Sequence, residues 1–113
     1  MNRIAVLTVG RSDFSILHPL VVALLKDDAF EVGLWVGGGH FDPNTGETRQ
    51  DVIASGLPIW AEIPCTVFLP TPAETNRAMA EQIQGVAGAL QASSPDVVVI
   101  LGDRFEAVSV GLA

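Results

Sequence analysis

The chain has 113 residues, of which 49% are hydrophobic and 17% are charged. This length allows at most one domain with a substantial core. Thirteen acidic residues outnumber six basic ones and leave a net charge of -7, with no basic run that could neutralise phosphates. The composition therefore argues against a general nucleic-acid or membrane binder, and an anionic ligand would need local cationic groups.

Cysteine usage and the N-terminal residues bear on the compartment. Cys65 is the single cysteine, so an internal disulfide framework is excluded and a reducing environment is favoured. The N-terminal residues lack the apolar core of a secretion signal, and no apolar run is long enough to cross a bilayer. We therefore expect a cytoplasmic protein.

Short apolar runs alternate along the chain with segments of helical apolar spacing. This alternation predicts an α/β fold with a Rossmann-like parallel sheet, helices on both faces and the strand order 3-2-1-4. The predicted strands are 4–9, 30–36, 58–63 and 97–101, and the predicted helices are 11–28, 47–55 and 71–92, with further helical potential in 105–113.

Several residues predict where the helices begin and end. Ser12 or Asp13 could cap the first helix, whereas Pro19 predicts that this helix starts near residue 17 or bends there. Gly56 is predicted to end the second helix, and Thr71–Glu74 reads as a capping box for the third. The predicted apolar face of the third helix holds Met79, Ile83, Val86, Ala87 and Leu90.

The last predicted strand contains five consecutive apolar residues, Val97–Leu101. Such a run is typical of a central parallel strand buried on both faces. In the order 3-2-1-4, however, this strand lies at an edge of the sheet. The mismatch predicts that the sequence is the N-terminal part of a larger α/β protein.

Charged residues follow two of the predicted strands, at the sheet edge where α/β proteins bind ligands. Gly10 and Arg11 follow the first strand and could bind an anion beside a helix N-terminus, although Arg11 could equally be an ordinary surface residue. Asp103, Arg104 and Glu106 follow the fourth strand. Asp103 could act as a general base, or it could cap a helix beside an Arg–Glu surface pair.

Other polar residues near predicted strand ends allow weaker assignments. Ser15 could bind phosphate or be a solvated helix residue, and Gly37–Gly39 permits close backbone approach to a ligand. His40 could be an acid, a base or a structural residue. Trp35 and Trp60 fit the core better than a sugar-stacking platform. Metal-ligand spacing and the glycine motifs of NAD(P) and ATP sites are absent, so we expect no metal and no cofactor.

Three segments carry motifs in a fixed order: GRSDFSILHPL at 10–20, GGHF at 38–41 with GET at 46–48, and GDRFE at 102–106. They resemble motifs of the hydrolysing UDP-N-acetylglucosamine 2-epimerases of sialic acid synthesis, with departures at Val9 and Ser12. The resemblance implies that residues 1–113 are part of the N-terminal Rossmann-like domain of a two-domain GT-B-type fold. The second domain is then absent from this chain.

The same resemblance implies a reaction on a UDP-sugar. UDP-N-acetylglucosamine would lose its C2 proton, eliminate UDP in the anti sense to give a glycal, and add water to give N-acetylmannosamine. By resemblance Asp103 is the catalytic carboxylate and His40 lies near the substrate. Glu106 orients Arg104, and Gly10 and Gly102 support the site. The substrate-binding residues would be Arg11, Ser15, His40 and Arg104, with Arg11 and Ser15 at the UDP moiety.

Alternatives to this reaction stay open. The substrate could be the UDP-N,N'-diacetylbacillosamine of the legionaminic acid pathway, because such relatives share these motifs. The chain could also be a non-catalytic nucleotide-sugar-binding domain, or belong to a GT-B glycosyltransferase, which the GDRFE motif disfavours. We expect the full-length protein to form homo-oligomers and the 113-residue piece alone to be inactive.

Overall fold

The structure of the protein is a computed structural model that describes residues 2–37, 40, 48–63 and 71–101, with the side chains of 11–13 and 75 left aside. The helix predicted for 105–113 lies outside these ranges. Within them, no helix is both long and apolar enough to cross a membrane. The strands are β1 (Asn2–Thr8), β2 (Phe30–Gly37), β3 (Ile59–Ile63) and β4 (Val97–Val99), and the helices are α1 (Arg11–Leu25), α2 (Arg49–Ala54) and α3 (Pro72–Ser93).

The four strands form one parallel sheet in the order β3-β2-β1-β4, as predicted. A helix lies between each pair of successive strands, which is the connection that parallel neighbours need. β1 pairs with β2 along its full length, from Asn2 opposite Phe30 to Thr8 opposite Val36. On its other side β1 pairs with β4, so that Val6 lies opposite Val99.

The side chains of β1 alternate between two apolar cores, one on each face of the sheet. Helices on both faces cover them, which confirms the predicted layers. The first core joins β1 and β2 to α1 and α2 through Ile4, Val6, Leu17, Val21, Val32, Leu34, Val36 and Val52. The second joins the sheet to α3 through Ala5, Leu7, Val9, Trp35, Ile63, Val86 and Ala89. Trp35 is fully buried, which confirms its assignment to the core.

The start of α1 at Arg11 agrees with the predicted range 11–28, but its capping residue differs from the predicted ones. The helix begins at Arg11, and the amide of Phe14 donates to the carbonyl of Gly10 at 3.0 Å. Gly10 therefore occupies the capping position, and the predicted caps Ser12 and Asp13 lie in the first turn. The helix also continues through Pro19, so a start near residue 17 is wrong. A bend at Pro19 stays a prediction.

The predicted ends of the other helices are confirmed. Gly56 has φ 75°, the left-handed conformation expected just after a helix. Thr71 caps α3, because its Oγ1 accepts from the amide of Glu74 at 3.2 Å and Pro72 is the first helical residue.

The buried face of α3 is rotated from the predicted one. Met79, Ile83 and Leu90 are half-buried, but Ala87 is exposed and its assignment to the apolar face is wrong. The prediction left out Ala78 and Ala89 and the polar residues Gln82 and Ser93, all of which are buried. The fully buried positions are Ala78, Gln82, Val86, Ala89 and Ser93.

β4 is shorter and more exposed than predicted. It comprises three residues at the edge of the sheet, and Val97 is 52% exposed. Ile100 and Leu101, which follow it, are also exposed. In the described sheet β4 has a neighbour on one side, β1, which is the edge position that the order 3-2-1-4 predicts. A central position for this strand in a larger protein stays a prediction.

Candidate functional site

The ends of β1 and β4 mark the candidate site. From β1 the chain adds β2 and then β3 on one side, and it returns to add β4 on the other side of β1. The strand order therefore reverses between β1 and β4. In open α/β sheets, ligands bind beyond the carboxyl ends of strands at such a point. The residues that follow Thr8 and Val99 are therefore the first to consider.

α1 begins directly at this edge. Gly10 follows β1, and a Cβ placed on Gly10 would meet no atom of the described residues within 4 Å. Arg11 is the first residue of the helix, and Ser15, one turn later, is exposed. The N-terminus of a helix attracts anions because its first amides lack partners within the helix. The sequence-predicted residues Arg11 and Ser15 thus share one helix end.

His40 lies beside the same edge but is buried, with 1% of its surface exposed. Its Nε2 lies 2.8 Å from Oγ1 of Thr8, and its Nδ1 lies 2.8 Å from Oγ1 of Thr48. Thr8 is the last residue of β1, and Thr48 directly precedes α2. His40 therefore bridges a strand end and a helix start. A direct contact between His40 and a ligand stays a prediction.

An aromatic contact extends this bridge to α1. The ring of Phe14 lies edge-on to that of His40, with centroids 6.2 Å apart, and edge-on to that of His18 at 5.6 Å. Edge-to-face packing of this kind is favourable for aromatic rings. Phe14 is in the first turn of α1, so His40 contacts the helix that carries Arg11 and Ser15.

α2 is also tied to the sheet by an ion pair. Nε of Arg49 donates to Oε1 of Glu62 on β3 at 2.8 Å. This hydrogen bond, together with the carboxylate charge, raises the pKa of Arg49 above its usual value. The pair is exposed, so it contributes to the orientation of α2 more than to stability.

The remaining sequence-predicted site residues, Gly102, Asp103, Arg104 and Glu106, lie outside the described residues, as do Gly38 and Gly39. The ranges that are described contain no group of three His, Cys, Asp or Glu side chains that could hold a metal ion. The roles assigned from the sequence to Gly102, Asp103, Arg104 and Glu106 stay predictions.

Sequence reasoning missed the contacts of His40 with two threonines, although Thr48 was noted as part of the GET segment. Thr8 is a polar residue at the end of an otherwise apolar strand, and Thr48 occupies the residue before a helix. Each is fully or almost fully buried. A threonine at the carboxyl end of a buried strand was the signal available, because a buried hydroxyl needs a hydrogen-bond partner.

These features define the class of protein: a Rossmann-like α/β domain, with a candidate ligand site at the edge beyond β1 and β4. Within that class, the family model described as UDP-N-acetylglucosamine 2-epimerase matches residues 22–113. The match covers most of the sequence, and the chain belongs to this family of UDP-sugar 2-epimerases.

Curated relatives and a solved structure agree with this family. The UDP-N,N'-diacetylbacillosamine 2-epimerase (hydrolyzing) of Legionella pneumophila is 24% identical over 113 residues, which is 100% of this chain and 30% of the relative. The GDP/UDP-N,N'-diacetylbacillosamine 2-epimerase (hydrolyzing) of Campylobacter jejuni is 26% identical over 109 residues, covering 96% and 28%. The chain therefore spans less than a third of the length of these relatives.

The fold is also that of a solved epimerase. The UDP-GlcNAc 2-epimerase of Neisseria meningitidis bound to UDP-GlcNAc superposes with a TM-score of 0.74 at 15% identity, over 99% of this chain and 28% of that one. At this identity the likeness establishes the fold alone, and the matched fold corresponds to 28% of that longer chain.

Proposed function

We propose that the protein from the complete reading frame is a hydrolysing UDP-N-acetylglucosamine 2-epimerase, and that this chain is part of its N-terminal domain. One observation carries the proposal: β1 and β4 are parallel neighbours, so two separate motifs follow adjacent strand ends. Val6 pairs with Val99, and Gly10 and Asp103 each come four residues later in the sequence. This register supports a single site shared by the two motifs.

The proposed reaction divides into steps with distinct chemical needs. Asp103 takes the proton from C2 of the sugar, the electron pair forms the C1–C2 double bond, and the C1–O bond to UDP breaks. Water then adds its oxygen to C1, and C2 gains a proton on the face opposite to the one that lost its proton, which gives N-acetylmannosamine. A carboxylate base contributes about 10²–10⁴-fold to such a step.

The departing diphosphate needs cationic stabilisation. The chain has a net charge of -7, so its overall field repels a UDP-sugar and local cations must hold it. We assign this role to Arg11, at the N-terminus of α1, and to Arg104, with Ser15 donating to a phosphate oxygen. Glu106 orients Arg104 in this proposal.

A second substrate has support of its own. Both curated relatives described above are hydrolysing epimerases of N,N'-diacetylbacillosamine nucleotides. The two candidate sugars share the UDP group and the C2 chemistry, and they differ in the groups on the sugar ring. UDP-N,N'-diacetylbacillosamine is therefore the alternative substrate, and the pathway would be that of legionaminic acid instead of sialic acid.

One assay tests both the reaction and the substrate. The protein from the complete reading frame is incubated with each UDP-sugar in deuterated water, and UDP and free sugar are measured. Release of UDP with one deuterium at C2 of the product supports the elimination mechanism, and the sugar that turns over identifies the substrate. Binding of UDP with neither release nor C2 exchange would favour a non-catalytic nucleotide-sugar-binding role.

A further inference from the structure

We infer that His40 is a positioning residue: through Thr8 and Thr48 it holds the end of β1, the start of α1 and the start of α2 in the arrangement that binds the UDP group. This inference rests on the proposed function. It differs from a direct contact between His40 and the substrate, and the difference can be measured.

The two hydrogen bonds of His40 occupy both ring nitrogens. A neutral imidazole has one N–H donor and one nitrogen acceptor, and a threonine hydroxyl can serve as either. With Thr8 and Thr48 each 2.8 Å away, both nitrogens are satisfied inside the protein. A proton transfer to substrate by His40 would require one of these bonds to break and the ring to leave a site where it is 1% exposed.

The contacts of His40 lie on chain segments that surround the proposed UDP site. Thr8 is two residues before Gly10, and Thr48 is the N-cap residue of α2, whose side chain makes no capping hydrogen bond. The hydroxyl of Thr48 is therefore directed to His40 and not to its own helix. Because His40 also packs against Phe14 in the first turn of α1, one ring contacts three chain segments around the proposed UDP site.

Loss of one hydroxyl should move these segments without removing any group that contacts the substrate. A buried nitrogen without its partner is unfavourable, so the His40 ring or its neighbours would shift. Small displacements of binding groups weaken ground-state binding of the UDP group, so KM rises, and any fall in kcat accompanies that rise. A residue that donates or accepts the reacting proton would instead lower kcat with KM unchanged.

The test uses the protein from the complete reading frame and the variants Thr8→Val and Thr48→Val, which keep side-chain volume and lose the hydroxyl. We expect each to weaken UDP binding, measured by titration calorimetry, by about tenfold, which corresponds to about 1.4 kcal/mol. Thr8→Ser and Thr48→Ser keep a hydroxyl and should recover most of the affinity. Because the two hydroxyls act on one ring, the effects in the double Val variant should fall short of additive.

Thr71→Val is the matched control. It removes the capping hydroxyl of α3, far along the chain from His40, and should lower the melting temperature without changing UDP affinity. A Thr48→Val protein that binds UDP like the wild type would overturn the inference. So would a His40→Gln protein whose KM is unchanged while kcat falls and one limb of the pH profile is lost.

The readouts separate this inference from the proposed function. If the wild-type protein binds UDP but turns over neither sugar, the proposed reaction fails, and the calorimetry on the threonine variants still decides the role of the bridge. If the wild-type protein does not bind UDP, both are overturned.

Discussion

Trp60 and Gly33 form a close contact on the α3 face of the sheet. Leu34 pairs with Ile59 whereas Trp35 pairs with Ala61, so Trp60 is the extra residue of a bulge in β3. Its indole lies against Gly33, where a Cβ would clash with the ring atoms. The indole also has a cationic neighbour, because Cζ of Arg3 lies 4.4 Å from the ring centroid. Gly33 is thus required by packing and not by backbone conformation.

Gly33→Ala is therefore expected to destabilise the protein. The new methyl group would force the indole off the sheet, and overpacking of this kind costs about 1–3 kcal/mol. Chemical denaturation of the protein measures the change. In a Trp60→Leu background the same substitution should cost clearly less, and equal costs in both backgrounds would contradict the assigned contact.

Asp103 is the residue on which the proposed chemistry depends. Asp103→Asn keeps the shape and removes the base, so we expect kcat to fall by about 10²–10⁴-fold. UDP affinity should not weaken, since the substitution removes a negative charge near a proposed diphosphate site. Steady-state kinetics and titration calorimetry measure the two quantities.

Asp28→Asn provides the control for Asp103→Asn. Asp28 is exposed in the turn between α1 and β2, and its substitution makes the same change in net charge. It should leave kcat and UDP affinity at wild-type levels. Turnover by Asp103→Asn comparable to that of Asp28→Asn would remove Asp103 from the catalytic role.

At the level of elements, α3 approaches β3 closely at Gly85, which packs against Ile63. A Cβ on Gly85 would lie 2.8 Å from Cγ2 of Ile63, whereas a Cβ on Gly88 would meet no atom of the described residues within 4 Å. The C-terminal end of α3 is fixed as well, since Nε of Arg3 donates to the carbonyl of Ser93 at 2.8 Å. The helix therefore has little freedom to move away from the sheet.

The two glycines of α3 give a matched pair of substitutions. Gly88→Ala should stabilise the protein by up to about 1 kcal/mol, because alanine has the higher helix propensity. Gly85→Ala gains the same propensity but presses against Ile63, so we expect its free energy of unfolding to be lower than that of Gly88→Ala by about 1–3 kcal/mol. Thermal and chemical unfolding of the two variants, measured in parallel, decide the prediction. Equal stabilities would show that α3 adjusts its distance from β3.

Sequence patterns predicted the element order because each strand and helix carries its own local signal. The apolar runs of β1 and β2, the capping box at Thr71 and the glycine at position 56 are examples. The exposure of Val97 was not predictable in this way, because the burial of a strand depends on which elements cover it. An apolar run identifies a strand, but it does not show which elements will cover that strand.

The candidate site was also predicted only in part, because some of its residues carry local signals and others meet only through tertiary packing. Gly10 and Arg11 were predicted at the edge of the sheet because they directly follow an apolar run, and the structure places them there. The bridge through His40 was not predicted, since Thr8 and Thr48 are 40 residues apart in sequence and meet only through tertiary packing. Gln82, buried on α3, was missed because a helical pattern search treats glutamine as a solvent-facing residue.

At the level of the whole molecule, the proposed reaction requires more catalytic and substrate-binding groups than we assign within these 113 residues. Asp103 supplies a base for one face of the sugar, and Arg11 and Arg104 supply cations for the diphosphate. Return of a proton to C2 from the opposite face needs a second acid, and the uracil and ribose need contacts of their own. The curated relatives, at more than three times this length, have further sequence for these tasks.

We therefore expect the 113-residue chain, produced by itself, to show no multiple-turnover release of N-acetylmannosamine or of the diacetylated product, while the protein from the complete reading frame turns over one of them. Circular dichroism of the short chain must accompany the assay, because an unfolded chain would be inactive for a different reason. A folded short chain that binds UDP weakly and releases no sugar is the expected result. Repeated turnover by the short chain would mean that the second acid lies within residues 1–113, and each of the twelve Asp and Glu residues other than Asp103 would then be a candidate for it.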